Sequence, residues 1–472
     1  MRSNQILSLF LCSLFIISCA DKKETANTLA LTHATIYDGT GNKLEDATIF
    51  ITDDRISAVG NDIKIPENTK EIDLNGKFIS PGLVDAHIHF FQTAFFDARP
   101  DALNLKDSLP YEKVYNYQKE HANRYYEAYL RSGVTAVYDV GDFTWTYDMP
   151  AKAEADSLSP HVATAGPLLT PFSEEAVASF NTSGDTVMIS LHDEKTGRDY
   201  VKNATNRGST GIKIWSLNTS DSLFMKGLDA VADEVKKQGN QLIVHATTLE
   251  QAKAALKDGA KLLVHSVEDT LIDQEFIDLA KANKTYYDPT LVVARGYYNT
   301  YMAILGEKFE LNDPHHVVDE KTREQLTNAE GFKSFFEDTL QTRKNMQAYD
   351  ERLKKRDTIM FANLKRVYEA GIPIVVGTDA GNPGTVHGIS IYDEMEQMQR
   401  AGIPAKDLIV MATKNGAIAM RRANDFGTLE AGKLADLIVL DNDPGDDISN
   451  MRSITHFMRA GHLQSVETKF EK

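Results

Sequence analysis

Two histidines, His87 and His89, stand two residues apart in the apolar stretch ISPGLVDAHIHF, which runs from Ile79 to Phe90. The apolar run predicts a buried strand, and residues i and i+2 of a strand point to the same face. The polar nitrogens of both imidazoles therefore need partners on the same side of the strand. A single buried histidine is usually hydrogen-bonded to nearby backbone, but a pair on one face favours a metal ion as the shared partner.

The elements that must position this pair follow a repeating pattern. Apolar strand-like runs alternate with segments of helical period such as LEQAKAALKDGA and IDQEFIDLAKAN, which is typical of βα units around a parallel sheet. Eight such runs occur: LVDAHIHF, VTAVYDVG, VATAG, GIKIW, QLIVHA, KLLVHS, TYYDPTLVV and PIVVGTDAG. Eight units in one chain predict an α/β fold of the (β/α)8 TIM barrel type.

The functional residues of such a barrel lie at the C-terminal ends of its strands. Besides the first pair, four residues meet that criterion: Lys213 in GIKIW, His245 on strand five, His265 on strand six and Asp379 in GTDAG. Each alone has an ordinary explanation, such as a hydrogen-bonded core histidine or, for Asp379, a helix N-cap. Together they would be a costly cluster of partly buried polar groups unless they bind metal.

Both ends of the chain predict β structure. Residues 29–80 read as short alternating strands separated by turns such as DGTG and NGK, and residues 426–472 have the same character. We expect these segments to form one small β-sandwich domain that flanks the barrel of residues 81–425. The largest insertion, 295–358, is charged and helix-prone, so it is predicted to be a solvated helical excursion, with a lid over the substrate as the alternative.

The ordered set of His-x-His on strand one, Lys on four, His on five and six, and Asp on eight resembles the amidohydrolase superfamily, specifically members with a binuclear metal centre. The resemblance extends to the return strand GKLADLIVLD near the C-terminus. It implies two divalent ions, one held by His87, His89, Lys213 and Asp379 and the other by Lys213, His245 and His265. Zinc is the expected metal, and manganese, iron or cobalt would suit the same nitrogen and oxygen ligands.

Lys213 must be modified before it can bind a cation, because a protonated amine has three donors and no lone pair. In the family that the chain resembles, this lysine reacts with carbon dioxide, and the two oxygens of the carbamate bridge the metals. The alternative is a plain ammonium group that pairs with a barrel carboxylate, which would leave a one-metal site.

The resemblance implies hydrolysis of an amide C–N bond by a bridging hydroxide, with Asp379 taking its proton and passing it to the leaving amine. The segments AGPLLTP, KIW and TDAG most resemble the branch of imidazolonepropionase-related proteins and metal-dependent Xaa-Pro dipeptidases. Imidazolonepropionase uses one metal and lacks the bridging lysine, so Lys213 favours a prolidase-like dipeptidase or an N-acyl-amino-acid hydrolase. A cyclic-amide or lactone hydrolase on the same centre, and a surface-tethered binding protein without turnover, stay open.

Substrate-binding residues are expected near the last two strands. The terminal carboxylate of a dipeptide needs a cationic or phenolic partner, and Arg295 and Tyr297, just beyond strand seven, are the nearest candidates. His387 in NPGTVHG lies on the loop after strand eight, which must cross the mouth of the site. Arg295 and Tyr297 would equally suit the start of the surface insertion.

The N-terminal segment MRSNQILSLFLCSLFIISCADKKE has a basic start and a short apolar run, which is a secretory signal pattern. The run is shorter than the ~20 residues that a membrane-spanning helix needs. IISC resembles the lipobox of bacterial lipoproteins, which implies a signal peptide over residues 1–18, acylation of Cys19 and a polar tether over 19–28. We therefore expect an exported bacterial lipoprotein, periplasmic or on the outer membrane and anchored through its lipid; a plain signal peptide is the alternative.

Charge and cysteine content limit the kinds of partner and cross-link that the protein can have. The net charge of −17 over 472 residues argues against a nucleic-acid surface. The two cysteines, Cys12 and Cys19, would be lost with the signal and lipidated respectively, so no disulfide is expected. A small molecule or a dipeptide is the expected substrate, and the sequence leaves an oligomer open.

Overall fold

The computed structural model describes residues 27–470, which form one mixed β-sheet and a parallel α/β unit. The strands are β1 Thr28–Tyr37, β2 Lys43–Thr52, β3 Arg55–Gly60, β4 Lys70–Asp73, β5 Phe78–Pro81, β6 Leu83–Ile88, β7 Val134–Asp139, β8 His161–Thr164, β9 Leu168–Thr170, β10 Met188–Ser190, β11 Ile212–Ile214, β12 Leu242–His245, β13 Leu262–Val264, β14 Tyr286–Asp288, β15 Leu437–Leu440, β16 Ile454–Arg459 and β17 His462–Ser465.

The helices are α1 Tyr111–His121, α2 Tyr126–Arg131, α3 Met149–Glu154, α4 Glu174–Ala178, α5 Glu194–Asn206, α6 Ser222–Lys237, α7 Leu249–Lys257, α8 Gln274–Asn283, α9 Val293–Ile304, α10 Glu320–Thr327, α11 Thr339–Glu369, α12 Ser390–Arg400, α13 Ala405–Val410 and α14 Gly416–Ala419. Among the helices of residues 27–470, none combines the length and apolar character needed to cross a bilayer. The predicted signal peptide, Cys19 and most of the predicted tether lie outside the described residues.

Helix α7 shows why the helical segments begin and end where they do. The Thr248 hydroxyl accepts a hydrogen bond from the Gln251 amide, and the Gln251 side chain bonds back to the backbone of Thr248, which is a capping box. The helix stops just before Gly259, which has a φ of +80° that glycine adopts at little cost. Its buried positions, Ala252, Ala255 and Leu256, form the stripe that packs toward the strands.

The strands near the two chain ends belong to one sheet with the order β17-β16-β15-β5-β1-β2-β3, to which β4 is added beside β1. Strand β1 pairs with β4 through residues 29–32 and with β5 through residues 35–36, and β5 then pairs with β15. In the described residues both chain ends therefore contribute to one hydrogen-bonded sheet of eight strands, in which β4 and β5 pair with different parts of β1. Residues such as Leu31, Ile49 and Val439 form its core.

The prediction of an α/β fold with parallel sheets is confirmed. Strands β6, β7 and β8 form one parallel sheet, and β10, β9, β11, β12, β13 and β14 form another. The third predicted strand, VATAG, is not continued into the following residues, because Gly166 has a φ of +74° and turns the chain between β8 and β9. A backbone hydrogen bond of 3.0 Å from Thr210 N to Thr164 O links the two sheets across this gap.

The run PIVVGTDAG joins the two sheets on their other side. It makes one parallel bridge between Ile374 and Tyr287 of β14 and another between Ala380 and Ile88 of β6. No ladder extends through the segment in the described chain, so the parallel segments are neighbours without forming one uninterrupted closed sheet. The strands are buried on both faces, which explains why QLIVHA and KLLVHS are apolar until their last residues.

Candidate active site

The six predicted ligands line one cavity of about 380 Å³ at the C-terminal ends of the parallel strands. They are His87, His89, Lys213, His245, His265 and Asp379. Each lies within, at the end of or just after an apolar parallel segment, so the backbone of that segment fixes where the side chain begins. The structure therefore brings together every residue that the sequence singled out for metal binding.

The carboxylate of Asp379 lies at the centre of this group. Its Oδ1 is 3.0 Å from His89 Nε2 and 3.3 Å from His87 Nε2, and its Oδ2 is 4.0 Å from His265 Nε2. Burial opposes ionisation of Asp379, but the neighbouring histidines hold the pKa of its carboxyl well below the usual range. Ligand atoms of His87, His265 and Asp379 lie within 4.8 Å of one another, which is close enough to share a metal ion.

Three of the imidazoles are oriented by a bond at Nδ1. The partners are Asp288 Oδ2 at 2.9 Å for His87, Gly141 O at 2.6 Å for His89 and Thr290 Oγ1 at 2.7 Å for His265. A ring that donates from Nδ1 keeps the lone pair of Nε2 for another partner. The three Nε2 atoms all face the carboxylate of Asp379, which is the arrangement of metal-binding histidines.

Several buried atoms at this centre have no hydrogen-bond partner in the described part of the chain: His87 Nε2, His245 Nδ1 and Asp379 Oδ1. Leaving such atoms unsatisfied costs about 1–3 kcal/mol each. Burial lowers the pKa of His87 and His245 well below the ordinary value and that of His265 to about 4, so the imidazoles are neutral and able to bind metal. The residues present therefore fit a divalent cation.

Lys213, on β11, is only 1% exposed. Burial lowers the pKa of its amine to about 8, against the opposing attraction of Asp379 and Asp288. Among the ion pairs within 4.0 Å in residues 27–470, none involves Lys213. A plain ammonium paired with a barrel carboxylate would need such a partner.

Backbone strain is concentrated at the same place. His265 and Asp379 have φ angles of +73° and +57°, in the left-handed region that costs non-glycine residues about 1–3 kcal/mol. Gly377, two residues before Asp379, is closely surrounded: a Cβ there would lie 2.7 Å from both carboxylate oxygens of Asp288 and from His87 Cβ. The glycine of GTDAG therefore lets the last parallel segment approach β6 and β14.

The predicted substrate-binding residues have different surroundings. Tyr297 lines the cavity, and its hydroxyl donates a 2.8 Å hydrogen bond to Asn382 Oδ1. Arg295 is absent from the cavity lining and is bonded instead to Asp350 and, at 3.1 Å, to Asp357 on α11. Its position agrees with the alternative expectation that it begins the insertion.

His387 is buried beneath the cavity wall and does not line the cavity. Its Nε2 lies 3.0 Å from Gln92 O, and its Nδ1 lies 2.6 Å from Tyr129 Oη. The ring therefore donates from Nε2 to the carbonyl and accepts from the tyrosine hydroxyl, so both nitrogens are used within the fold. Burial lowers its pKa to about 3, which keeps it neutral.

Sequence reasoning missed several residues of the cavity. Arg99 lies on the loop after β6, where Nε and Nη2 bind Asp101 at 2.9 and 2.6 Å and Nη1 binds Asn382. Glu268 and Arg356 form a second ion pair in the wall, and an apolar part consists of Phe91, Leu168, Phe180, Val187, Met188 and Trp215. In the sequence, the only signal for Arg99 and Glu268 is that they follow strand ends. Arg356 belongs to helix α11, far from any predicted strand, so the sequence gives no signal for it.

A parallel α/β unit whose strand ends present neutral imidazoles, a buried lysine and an ionised aspartate around one cavity defines a metal-dependent enzyme. The chain matches the Amidohydrolase family over residues 78–466 and belongs to that family. It is therefore a hydrolase that acts on carbon–nitrogen bonds, and the candidate site of His87, His265 and Asp379 agrees with the divalent metal centre that the family generally uses.

Known relatives span several activities. The chain is 23% identical over 426 residues to a 5'-deoxyadenosine deaminase of Methanosarcina acetivorans, covering 84% of this chain and 80% of that protein. It is 28% identical to an imidazolonepropionase of Thermoanaerobacter pseudethanolicus over 108 residues, which span 22% of this chain and only 24% of that relative.

The crystal structure of a Xaa-Pro dipeptidase with bound methionine in the active site superimposes with a TM-score of 0.68, covering 93% of this chain and all of that one. At 22% identity this likeness concerns the fold, and it implies a TIM barrel with an added β domain.

Proposed function

We propose that the protein is a metal-dependent amide hydrolase, either a prolidase-like dipeptidase or an N-acyl-amino-acid hydrolase. The proposed architecture is a TIM barrel of residues 81–425 with a β domain from residues 29–80 and 426–472. The observation that carries the proposal is the convergence of four imidazoles and buried Lys213 around ionised Asp379 in one cavity. Similarity in fold to a Xaa-Pro dipeptidase supports the choice of substrate.

Two zinc ions would be held by the cluster, one by His87, His89, Asp379 and modified Lys213, and the other by Lys213, His245 and His265. When bound, such ions lower the pKa of a bound water and polarise a carbonyl. Lys213 contributes through its carbamate: the neutral amine adds to carbon dioxide, an N–C bond forms and one proton leaves, so that one negative charge is shared by two oxygens. Its depressed pKa increases the fraction of amine available for this addition.

Asp379 is the residue that moves the proton. Its carboxylate stays ionised beside three imidazoles, so it can accept a proton from the attacking water and deliver it to the nitrogen of the leaving amine. His87 and His89 are each fixed at Nδ1, so their Nε2 atoms stay directed at this carboxylate. The apolar wall that contains Leu168 and Trp215 receives the acyl part of the substrate and excludes water from it.

We also propose that the protein is exported and anchored by a lipid on Cys19, in the periplasm or at the outer membrane. The support is the basic start, the short apolar run and IISC in residues 1–19. Metabolic labelling with a fatty acid should label the wild-type protein and leave the Cys19→Ser variant unlabelled. Equal labelling of both would contradict acylation at this cysteine.

The activity is tested with protein expressed from residue 19 onward, with Cys19 replaced, loaded with zinc and supplied with bicarbonate. A panel should contain Xaa-Pro and other dipeptides, N-acyl amino acids, lactams, lactones and 5'-deoxyadenosine. We expect release of a free amine from the dipeptides or N-acyl amino acids, and none from Asp379→Asn at the same metal content. Cleavage of lactams or lactones alone would establish the cyclic alternative, and ammonia release from the nucleoside would identify a deaminase.

A further inference from the structure

Helix α11 presents one stripe of side chains to the cavity. Tyr349, Arg356 and Met360 line it, and their separations of seven and four residues place them on the same helix face. The neighbouring stripe carries Asp350 and Asp357, which bind Arg295 of α9. The insertion thus forms part of the cavity wall, and Arg295 ties its long helix to the parallel unit.

Two guanidinium groups line the cavity, and they differ in how well the protein satisfies them. Arg99 has a partner at all three nitrogens: Asp101 binds Nε and Nη2, and Asn382 accepts from Nη1. The group also lies over the ring of Tyr297, with 5.6 Å between Cζ and the ring centroid. These contacts fix Arg99 as part of the wall and leave little of its hydrogen-bonding capacity for a ligand.

Arg356 has far fewer partners. Its Nη1 lies 3.0 Å from Glu268 Oε2, while its Nε is buried and has no hydrogen-bond partner in residues 27–470. The side chain is 25% exposed, so the guanidinium is neither fully solvated nor satisfied within the fold. Because the guanidinium lines the cavity, is partly exposed and is held by one ion pair, its exposed N–H groups can take up an anionic ligand.

The position of Arg356 is suited to a substrate of the cavity. Arg356 lines the same cavity as His265 and the other predicted metal ligands. A guanidinium presents parallel N–H groups whose spacing matches the two oxygens of a carboxylate.

We propose that Arg356 is a specificity residue that binds the free carboxylate on the amine side of the substrate. This inference rests on the proposed amide hydrolase activity and names the residue that recognises the free carboxylate of the leaving amino acid. Under this assignment the insertion of residues 295–358 contributes a substrate-binding residue, Arg356. Arg295 affects substrate binding only indirectly, because its ion pairs position α11.

The test compares N-acyl amino acids with their carboxamides on zinc-loaded wild-type enzyme, Arg356→Gln, Arg356→Lys and Lys355→Gln. Lys355 is the exposed neighbour on α11, so its variant removes the same charge outside the cavity. We expect Arg356→Gln to raise KM for the carboxylate substrate about 10-fold or more, because a charge-assisted contact is lost. The change in kcat should be smaller. Arg356→Lys should restore part of the affinity, and Lys355→Gln should match wild type.

Calorimetric binding of N-acetyl-L-phenylalanine and its carboxamide to the same four proteins keeps this inference separate from the proposed function. Carboxylate preference in wild type that disappears in Arg356→Gln would support it even if no amide is hydrolysed. The inference would be overturned if Arg356→Gln lost the same affinity for the carboxylate as for the carboxamide. It would also be overturned if the wild type bound both ligands equally well. Absence of hydrolysis together with intact carboxylate selectivity would count against the proposed activity alone.

Discussion

Asp288 Oδ2 lies 2.9 Å from His87 Nδ1, and both side chains are fully buried. The aspartate closes β14, so this parallel strand orients a histidine of β6. This bond selects the ring tautomer that leaves His87 Nε2 free to face Asp379, at a distance of 3.3 Å. The metal centre therefore depends on a carboxylate that is itself outside the predicted ligand set.

Asp288→Asn should weaken metal binding by about 10- to 100-fold, because an amide replaces the carboxyl group that accepts from Nδ1–H of His87. Competition with a chelator measures the affinity, and exposed Asp62→Asn is the matched control. An unchanged affinity in Asp288→Asn would show that burial alone orients His87.

Lys213→Ala should reduce the metal content from two ions per chain to one or fewer, since the bridging oxygens are removed. Elemental analysis of both proteins measures this directly. Reconstitution of the stripped wild type with and without bicarbonate should show that the second ion depends on carbon dioxide. One ion per chain in wild type and variant alike would make Lys213 a structural residue and favour single-metal chemistry.

Asp379→Asn should lower kcat by about 10²- to 10⁴-fold, the usual contribution of a positioned general acid–base group. The asparagine keeps an oxygen for the metal but cannot take up the proton from water. Steady-state kinetics at matched metal content separates these two roles. If Asp379→Asn equals wild type in kcat, another group must act as the base.

The candidate metal cluster could be predicted from sequence because its residues lie in or directly after short apolar strands, where local pattern alone fixes the position. The interruption of the third run at Gly166 was not predictable, since VATAG and PLLT each suit a strand and only the turn between them separates the sheets. Arg356 and Asp288 show a different limit. Their contacts depend on where α11 and β14 pack in space, and no local spacing encodes that.

His387 should stabilise the protein at neutral pH and lose this contribution in acid. Burial holds its pKa at about 3, below the ordinary value of 6.5, so the unfolded chain takes up a proton that the folded chain refuses. The contribution is complete above pH 6.5 and declines as the pH falls toward 3. In denaturant unfolding, the difference in unfolding free energy between wild type and His387→Gln should therefore decrease as the pH falls from about 6.5 to 4.5. A difference that stays constant would contradict a neutral buried ring.

His161, at the start of β8, should show the opposite dependence on pH. Its Nδ1 lies 2.8 Å from Glu154 Oε1 and its Nε2 lies 2.9 Å from Asp436 Oδ2, so both nitrogens donate and the buried ring is an imidazolium. Burial alone would lower its pKa, but the two carboxylates raise it above 6.5.

The stabilisation from His161 is consequently complete below pH 6.5 and is lost as the pH rises through the elevated pKa of the folded state. His161→Gln should cost about 3 kcal/mol at about pH 6, because it leaves buried Asp436 without its cation. The difference from wild type in unfolding free energy should shrink toward about pH 9. A difference that grew with pH would mean that His161 is neutral in the fold and that Arg459, 3.2 Å from Glu154 Oε2, supplies the charge that balances this carboxylate.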